Sequence, residues 1–94
     1  MRTIEQASAF KRDYKKVVAT PHHRKDAGAL LVAILNMLVN DQALSESNRD
    51  HSLGGNWVGY RECHMKPDLL LIYSKPDADT LRLARMGSHS ELFG

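Results

Sequence analysis

The chain has 94 residues, of which 43% are apolar and 26% are charged, and its formal net charge is +2. This length and composition predict one globular domain over residues 1–94 and exclude a second core. The small net charge does not by itself indicate a nucleic-acid partner. Because no apolar leader is visible and the one cysteine, Cys63, allows no internal disulfide, we expect a cytoplasmic protein. The longest apolar stretch, Ala27 to Val39, is too short to cross a bilayer, so no membrane partner is expected.

The N-terminal part of the chain predicts a short strand followed by a helix. Arg2 to Glu5 is the candidate strand, and Ser8 is a suitable N-cap for the helix. Apolar residues then recur at the spacing of one helical face, and Pro21 ends the helix. These apolar residues are Phe10, Tyr14, Val17 and Val18.

A second helix is predicted from Ala27 to Val39, with Asp26 as its candidate cap. Its apolar side chains cover more than one side, a pattern typical of a helix that packs on a sheet or between elements. The connection from Thr20 to Arg24 is short, which favours an antiparallel helical hairpin.

The second half of the chain alternates strand-like and turn-like segments. A polar loop is expected from Asn40 to Asp50, and a short tail from Ser88 to Gly94. The continuous apolar run from Leu69 to Tyr73 is typical of a central strand covered on both faces. The other predicted segments are a strand at Trp57–His64, turns at 65–68 and 74–80, and a last strand that begins at Leu81 and is broken by Gly87. This order predicts an α+β fold, with two N-terminal helices packed on one face of a twisted antiparallel sheet.

Positive charge is concentrated at the N-terminus. Residues 1–25 hold seven Lys and Arg residues against two carboxylates, an excess of five positive charges. Such a patch attracts a polyanion. The solvated face of a surface helix more often carries such a charge run, so composition alone favours that interpretation while leaving the polyanion partner open.

Three histidines in the second half, His51, His64 and His89, are candidates for acid–base chemistry, with Asp68 close to His64 in sequence. Cleavage of RNA through its own 2′-hydroxyl needs a base, an acid and a cation for the charged phosphorane. Two histidines and an arginine suffice for this chemistry, without a metal. Histidines are also common as surface or structural residues. A zinc site is a further alternative, although the spacing matches no compact zinc motif.

The aromatic residues allow two interpretations. Trp57 and Tyr73 are suited to a core, although both side chains can also stack on bases, as can that of Tyr60. Phe93 lies almost at the C-terminus, where little chain remains to pack around it. Its ring is therefore a candidate for stacking on a nucleobase or for sealing the edge of the sheet.

A long ordered pattern begins at Asp50. It reads D-H-x-L-x-G-x-W-x-G-Y-R, then H-x-x-P-D from His64, L-I-Y ending at Tyr73, R-x-G-x-H from Arg85 and a terminal L-F-G. This pattern closely resembles the YafQ-like branch of the RelE/ParE toxin superfamily. It covers about half of the chain tightly, and the helical half is similar in length and layout.

The resemblance implies a compact, barrel-like microbial ribonuclease fold. It implies cleavage of messenger RNA in the ribosomal decoding site, which leaves a 2′,3′-cyclic phosphate and a 5′-hydroxyl, and it implies no cofactor. It also implies a cognate antitoxin as a partner, beside the ribosome and its messenger RNA. The functional residues of the family fall on His51, His64, Asp68, His89 and Phe93, and all of them are present.

The roles implied for these residues are hypotheses. His89 is assigned one proton transfer, and His51 or His64 the other. Asp68 is expected to orient a histidine or to raise its pKa. Arg85 is expected to stabilise the phosphorane, and Phe93 to stack on a base. The basic residues expected to contact ribosomal RNA phosphates are Lys11, Arg12, Lys15 and Lys16.

Two other functions are compatible with the scaffold. Some members of the superfamily poison DNA gyrase by binding and have no nuclease activity, and fold alone does not fix function. Such a binder has no need for the three histidines and Asp68 together. A general RNA-binding module or stand-alone ribonuclease is the third possibility, and it would act on naked RNA without ribosomes.

Overall fold

Five strands and three helices form the protein, and the computed structural model describes residues 1–94. The strands are β1 (Thr3–Gln6), β2 (His51–Ser52), β3 (Arg61–Lys66), β4 (Leu69–Ser74) and β5 (Thr80–Gly87). The helices are α1 (Ser8–Ala19), α2 (Ala27–Val39) and α3 (His89–Phe93). None of these helices has the length and apolar character that a bilayer crossing requires.

The strands form one sheet in the order β1-β5-β4-β3-β2. Strands β2 to β5 pair antiparallel, as the sequence predicts, but β1 pairs parallel to β5. The α+β prediction is therefore confirmed, with the correction that the sheet is mixed. Parallel pairing requires a crossover between the two strands. The intervening chain, with its two helices, allows β1 to lie along β5, and local periodicity carries no information about that choice.

All six residues of β4 are buried, as its continuous apolar sequence predicts. Leu69, Leu71 and Tyr73 face the helices and join the main core. Leu70 and Ile72 point to the other face, where they form a smaller apolar cluster. Burial of each such leucine contributes about 2 kcal/mol. The sheet therefore has one face that is covered by α1 and α2 and another that they leave open.

The two long helices match the predicted segments, but their first residues differ in detail. Ser8 is the first residue of α1 rather than its cap, since Ala7 holds the N-cap position and no side chain caps the helix. Asp26 does hold the N-cap position of α2. Its carboxylate pairs with Lys66 at 2.8 Å instead of capping the backbone.

Three predictions for the second half need correction. The strand expected from Trp57 begins only at Arg61, because a 3₁₀ turn at Gly55–Trp57 precedes it. The turn expected at 65–68 is shorter, since β3 continues to Lys66. The C-terminal tail is helix α3, which the side chain of Ser88 caps by accepting from the backbone N–H of Glu91. That S-x-x-E pattern is a capping box, a helix-start signal that the sequence itself contains.

Candidate active site

The candidate residues cross the open face of the sheet in a row. His51 pairs with Glu62, Glu62 with Ile72, and Ile72 with Arg85. Residues directly opposite each other on neighbouring strands share a face, and Ile72 belongs to the apolar cluster away from α1 and α2. The antiparallel part of the sheet thus places His51 beside Glu62, and it separates Glu62 from Arg85 by the strand that carries Ile72.

Glu62 joins two of the predicted histidines, although sequence reasoning missed it. Its Oε1 atom lies 3.0 Å from Nε2 of His64 and 3.8 Å from Nε2 of His51. The residue is only 5% exposed, and a buried carboxylate is stable only when polar groups satisfy it. Because side chains alternate along a strand, Glu62 lies on the same face of β3 as His64. This spacing of two residues could have identified Glu62 from the sequence.

The hydrogen bonds of the two rings differ. Nδ1 of His51 lies 2.6 Å from the carbonyl oxygen of Arg49 and must donate to it, since a carbonyl only accepts. A neutral His51 therefore keeps its lone pair on Nε2. His64 faces an acceptor at each nitrogen, Glu62 at Nε2 and the Pro67 carbonyl at Nδ1, 3.2 Å away. A ring that donates to both acceptors carries two protons and a positive charge.

The loop before His51 is anchored to the buried part of the sheet by Asp50. Its Oδ1 atom accepts from the Tyr73 hydroxyl at 2.6 Å and from Nε of Arg61 at 3.1 Å. Burial, together with the bond to Asp50, raises the pKa of Tyr73, and the same carboxylate raises the pKa of Arg61. These bonds fix the position of the backbone that carries His51. Tyr73 is thus a core residue, as expected.

Asp68, His89 and Phe93 form a second group at the start of α3. Asp68 Oδ1 accepts from the backbone N–H of His89 at 3.1 Å. Asp68 therefore holds the start of α3. We expected this carboxylate to act on a histidine ring, but its bond is to the backbone of His89. The rings of His89 and Phe93 lie 5.1 Å apart between centroids, and both side chains are exposed.

Helix α3 is also tied to α1. Lys16 Nζ lies 2.8 Å from Glu91 Oε2. This bond, with the bonds from Ser88, lowers the pKa of Glu91 to about 2. Of the four basic residues expected to contact ribosomal RNA, Lys16 therefore already has a partner. Lys11, Arg12 and Lys15 are exposed and form no ion pair within the chain.

Arg85 is already engaged in the structure. Its Nε and Nη2 atoms contact the two carboxylate oxygens of Asp13 at 2.6 and 3.2 Å, and this pairing raises the pKa of Arg85. Asp13 also accepts from the backbone N–H of Met86 at 3.0 Å. The fork leaves Nη1 of Arg85 as the group available to a ligand.

Lys66 connects the helical hairpin to the end of β3. Its Nζ atom lies 2.8 Å from Asp26 and 3.2 Å from both the His22 carbonyl and Nδ1 of His23. Burial, and then the nearby ammonium, lowers the pKa of His23. This bridge lies directly before the turn that carries Asp68.

No three His, Cys, Asp or Glu side chains are grouped closely enough to hold a metal ion together. Cys63 is fully buried, and burial raises the pKa of its thiol to about 12. A thiol in this state is a poor nucleophile.

Three helices on a five-stranded mixed sheet also form the fold of a solved YafQ toxin from Escherichia coli BL21(DE3), with a TM-score of 0.84. Residues 2–94 match the model of a family described as the bacterial toxin of a type II toxin–antitoxin system, YafQ. The chain therefore belongs to the YafQ toxin family, as its sequence pattern predicts.

Several relatives cover the chain almost completely. The mRNA interferase toxin YafQ of Escherichia coli K12 is 38% identical over 93 residues, which are 99% of this chain and 97% of that protein. The matched chain of a solved E. coli DinJ–YafQ complex gives a TM-score of 0.83 at 35% identity. The match covers 100% of this chain and 100% of that one. A metal-bound toxin from Helicobacter pylori gives a TM-score of 0.86 at 42% identity, covering 99% of this chain and 100% of that one. Similarity at this level extends to the whole fold.

Proposed function

We propose that the chain is an endoribonuclease toxin that cuts messenger RNA in the decoding site of the ribosome without a metal. The His51–Glu62–His64 cluster on the open face of the sheet is the observation that carries this proposal. It places a lone pair and a candidate cation on two rings beside one carboxylate. The E. coli relative is an mRNA interferase, which agrees with this chemistry.

His51 is the base in this mechanism. Because Nδ1 donates to the Arg49 carbonyl, Nε2 takes the proton from the 2′-hydroxyl. The 2′-oxygen then bonds to phosphorus, and the bond between phosphorus and the 5′-oxygen breaks. His89 gives a proton to the departing 5′-oxygen, which leaves a 2′,3′-cyclic phosphate and a 5′-hydroxyl.

The remaining site residues stabilise and position the reacting groups. His64 and Nη1 of Arg85 are the donors that stabilise the charge developing on the phosphorane. Asp68 holds the backbone of His89, so it positions the acid without touching its ring. The exposed ring of Phe93, next to His89, stacks on a base of the substrate.

The partners follow from the family and from the exposed charges. Lys11, Arg12 and Lys15 contact ribosomal RNA phosphates, and Lys16 joins them only if its bond to Glu91 opens. A cognate antitoxin restrains the enzyme in the cytoplasm, as the E. coli YafQ toxin is found in complex with DinJ.

No cofactor takes part. Protein stripped with a chelator before addition to ribosomes should therefore cut at full rate, whereas restoration by added zinc or copper would contradict metal independence.

The decisive experiment maps RNA 5′ ends in bacteria after induction of the protein, beside the His89→Ala variant. We expect in-frame, translation-dependent cuts from the parent, and a loss of cleavage by about 100-fold or more in the variant. Because His89 is exposed, the thermal unfolding midpoint should not change. Growth arrest without cuts in both strains would instead indicate a gyrase-binding toxin. Cleavage of purified RNA in the absence of ribosomes would contradict the proposed dependence on the ribosome.

A further inference from the structure

A polar cleft of about 520 Å³ opens directly beside His64. Residues 47–49 form one wall, and the segment from His64 to Pro67 forms the other. None of the lining residues is acidic, whereas Arg49 and Lys66 are both cationic. This Arg49 cleft, lined by residues 47–49 and 64–67, therefore attracts anions. Its volume falls in the range of small-ligand sites, about 300–1,000 Å³.

Arg49 is the unpaired cation of this cleft. Lys66 is held by Asp26 and His23, but the guanidinium of Arg49 has no hydrogen bond or ion pair within the chain. The other arginines at the sheet, such as Arg61 and Arg85, are paired with carboxylates. Arg49 thus offers all of its donors to a ligand.

The backbone of Arg49 adds a second observation. Its φ and ψ angles are 49° and 42°, in the left-handed region that L residues adopt only at a cost. This conformation accompanies the 2.6 Å contact of its carbonyl with Nδ1 of His51. Strained residues of this kind cluster at ligand sites. One residue thus sets the tautomer of the catalytic base and presents a free guanidinium to the cleft.

We propose that the Arg49 cleft binds the nucleotide next to the scissile bond, with the Arg49 guanidinium on its phosphodiester. A planar guanidinium fork matches two phosphate oxygens. His64 belongs both to the wall of the cleft and to the catalytic cluster, so an RNA strand placed against the cluster continues into the cleft. This assignment rests on the proposed function, and it makes Arg49 a substrate-binding residue of that site.

Binding at this cleft also acts on the base. A phosphate held by the Arg49 side chain restrains the residue whose carbonyl fixes His51. Asn48 supports the same wall, since its Nδ2 atom donates to the His64 carbonyl at 2.8 Å. Occupation of the cleft therefore favours the productive orientation of His51, and substrate lacking that phosphate is cut more slowly.

The test measures binding separately from cleavage. The probe is a fluorescein-labelled, 2′-O-methylated RNA hexanucleotide, which cannot be cut because its 2′-oxygens are blocked. Arg49→Gln is compared with Arg24→Gln, a matched loss of charge at an exposed arginine that has no ion pair and does not line the cleft. Anisotropy is recorded over a range of salt concentrations, and the Nε–Hε NMR signals of the arginines are followed during titration.

Arg49→Gln should weaken binding about tenfold and reduce the slope of log Kd against log salt by about 0.7, while Arg24→Gln changes neither. The Nε–Hε signal of Arg49 should shift on titration. Equal binding by the two variants, an unmoved Arg49 signal, or no binding by the parent would overturn the cleft assignment. The protein could also bind the probe through Arg49 and yet fail to cut messenger RNA on ribosomes. That result would refute the nuclease proposal and leave the cleft assignment standing.

Discussion

Glu62 contacts both strand histidines, and its side chain is almost completely buried. Its Oε1 atom is satisfied by Nε2 of His64 at 3.0 Å, while Nε2 of His51 lies 3.8 Å away without a hydrogen bond. Glu62 thus lies between the two imidazoles and is bonded to that of His64. At the scale of single residues, this interaction is the centre of the proposed site.

The variant Glu62→Gln tests this arrangement. It keeps the size of the side chain but removes the negative charge that Glu62 places 3.0 Å from Nε2 of His64. We expect single-turnover cleavage on ribosomes to fall by about 100-fold, and the pH dependence of the rate to change shape. The exposed Glu46 is the control position. Cleavage by Glu62→Gln at the rate of Glu46→Gln would remove Glu62 from the mechanism.

The sequence identified most of the candidate residues but not their partners. The pattern around His51, His64 and His89 names them because their order and spacing are specific. Asp68 bonds to a backbone N–H, and Arg85 pairs with Asp13, 72 positions away. These interactions depend on how the helices and the sheet meet, and residue spacing contains no such information.

Polar interactions hold the short helix α3 in place. It has only five residues, too few to be stable alone. The capping box of Ser88 and Glu91, the bond from Asp68 and the ion pair with Lys16 hold it in place. The position of His89 therefore depends on three separate polar interactions.

The pH dependence of stability should reveal the role of Glu91. Its folded pKa is about 2, below the ordinary value of 4.5, so the folded chain binds fewer protons than the unfolded chain between these values. The contribution of Glu91 is therefore complete above pH 4.5 and disappears as the pH falls towards 2. The half-exposed side chain makes the effect small.

Thermal unfolding from pH 7 to 2 provides the measurement. The parent should unfold at a higher temperature than Glu91→Gln at pH 6, and the two midpoints should converge near pH 2. Glu46→Gln, at a position without an ion pair, should follow the parent. A constant difference between parent and Glu91→Gln at every pH would show that the charge of Glu91 is irrelevant.

The elements differ in how far the sequence predicts them. Helices α1 and α2 and strand β4 follow from periodicity and from an unbroken apolar run. The segment Trp57–Tyr60 carries strand-like residues, but Gly55 and Gly59 adopt positive φ angles of 59° and 91° that turn the chain instead. The parallel pairing of β1 with β5 brings together residues almost 80 positions apart, and no local pattern specifies it.

At the scale of the whole molecule, positive charge extends beyond the histidine face. Lys11, Arg12 and Lys15 project from α1, while the Arg49 cleft lies beside His64. The two regions have different expected partners, ribosomal RNA for the helix and messenger RNA for the cleft. They should therefore be separable by mutation.

Reversal of Lys11, Arg12 and Lys15 to Glu tests the larger surface. Ribosome binding should weaken, and the slope of log Kd against log salt should fall by about 0.9 for each phosphate that the helix no longer neutralises. Binding of the short RNA probe at the cleft should change much less. Reversal of Arg24 and Lys25 supplies the control. Unchanged affinity for ribosomes would show that these residues form a solvated helix face and do not contact ribosomal RNA.

The division of the sheet into a covered face and an open face has a consequence for genetics. Cells that survive induction of the toxin should carry two kinds of lesion. Substitutions on the open face, at His51 or His64, should leave normal amounts of soluble protein that an immunoblot detects. Substitutions beneath the helices, at Leu71 or Leu83, disrupt packing around almost completely buried side chains and should leave little protein, because unfolded chains are degraded. Sorting survivors by protein abundance would therefore map the two faces without a structure.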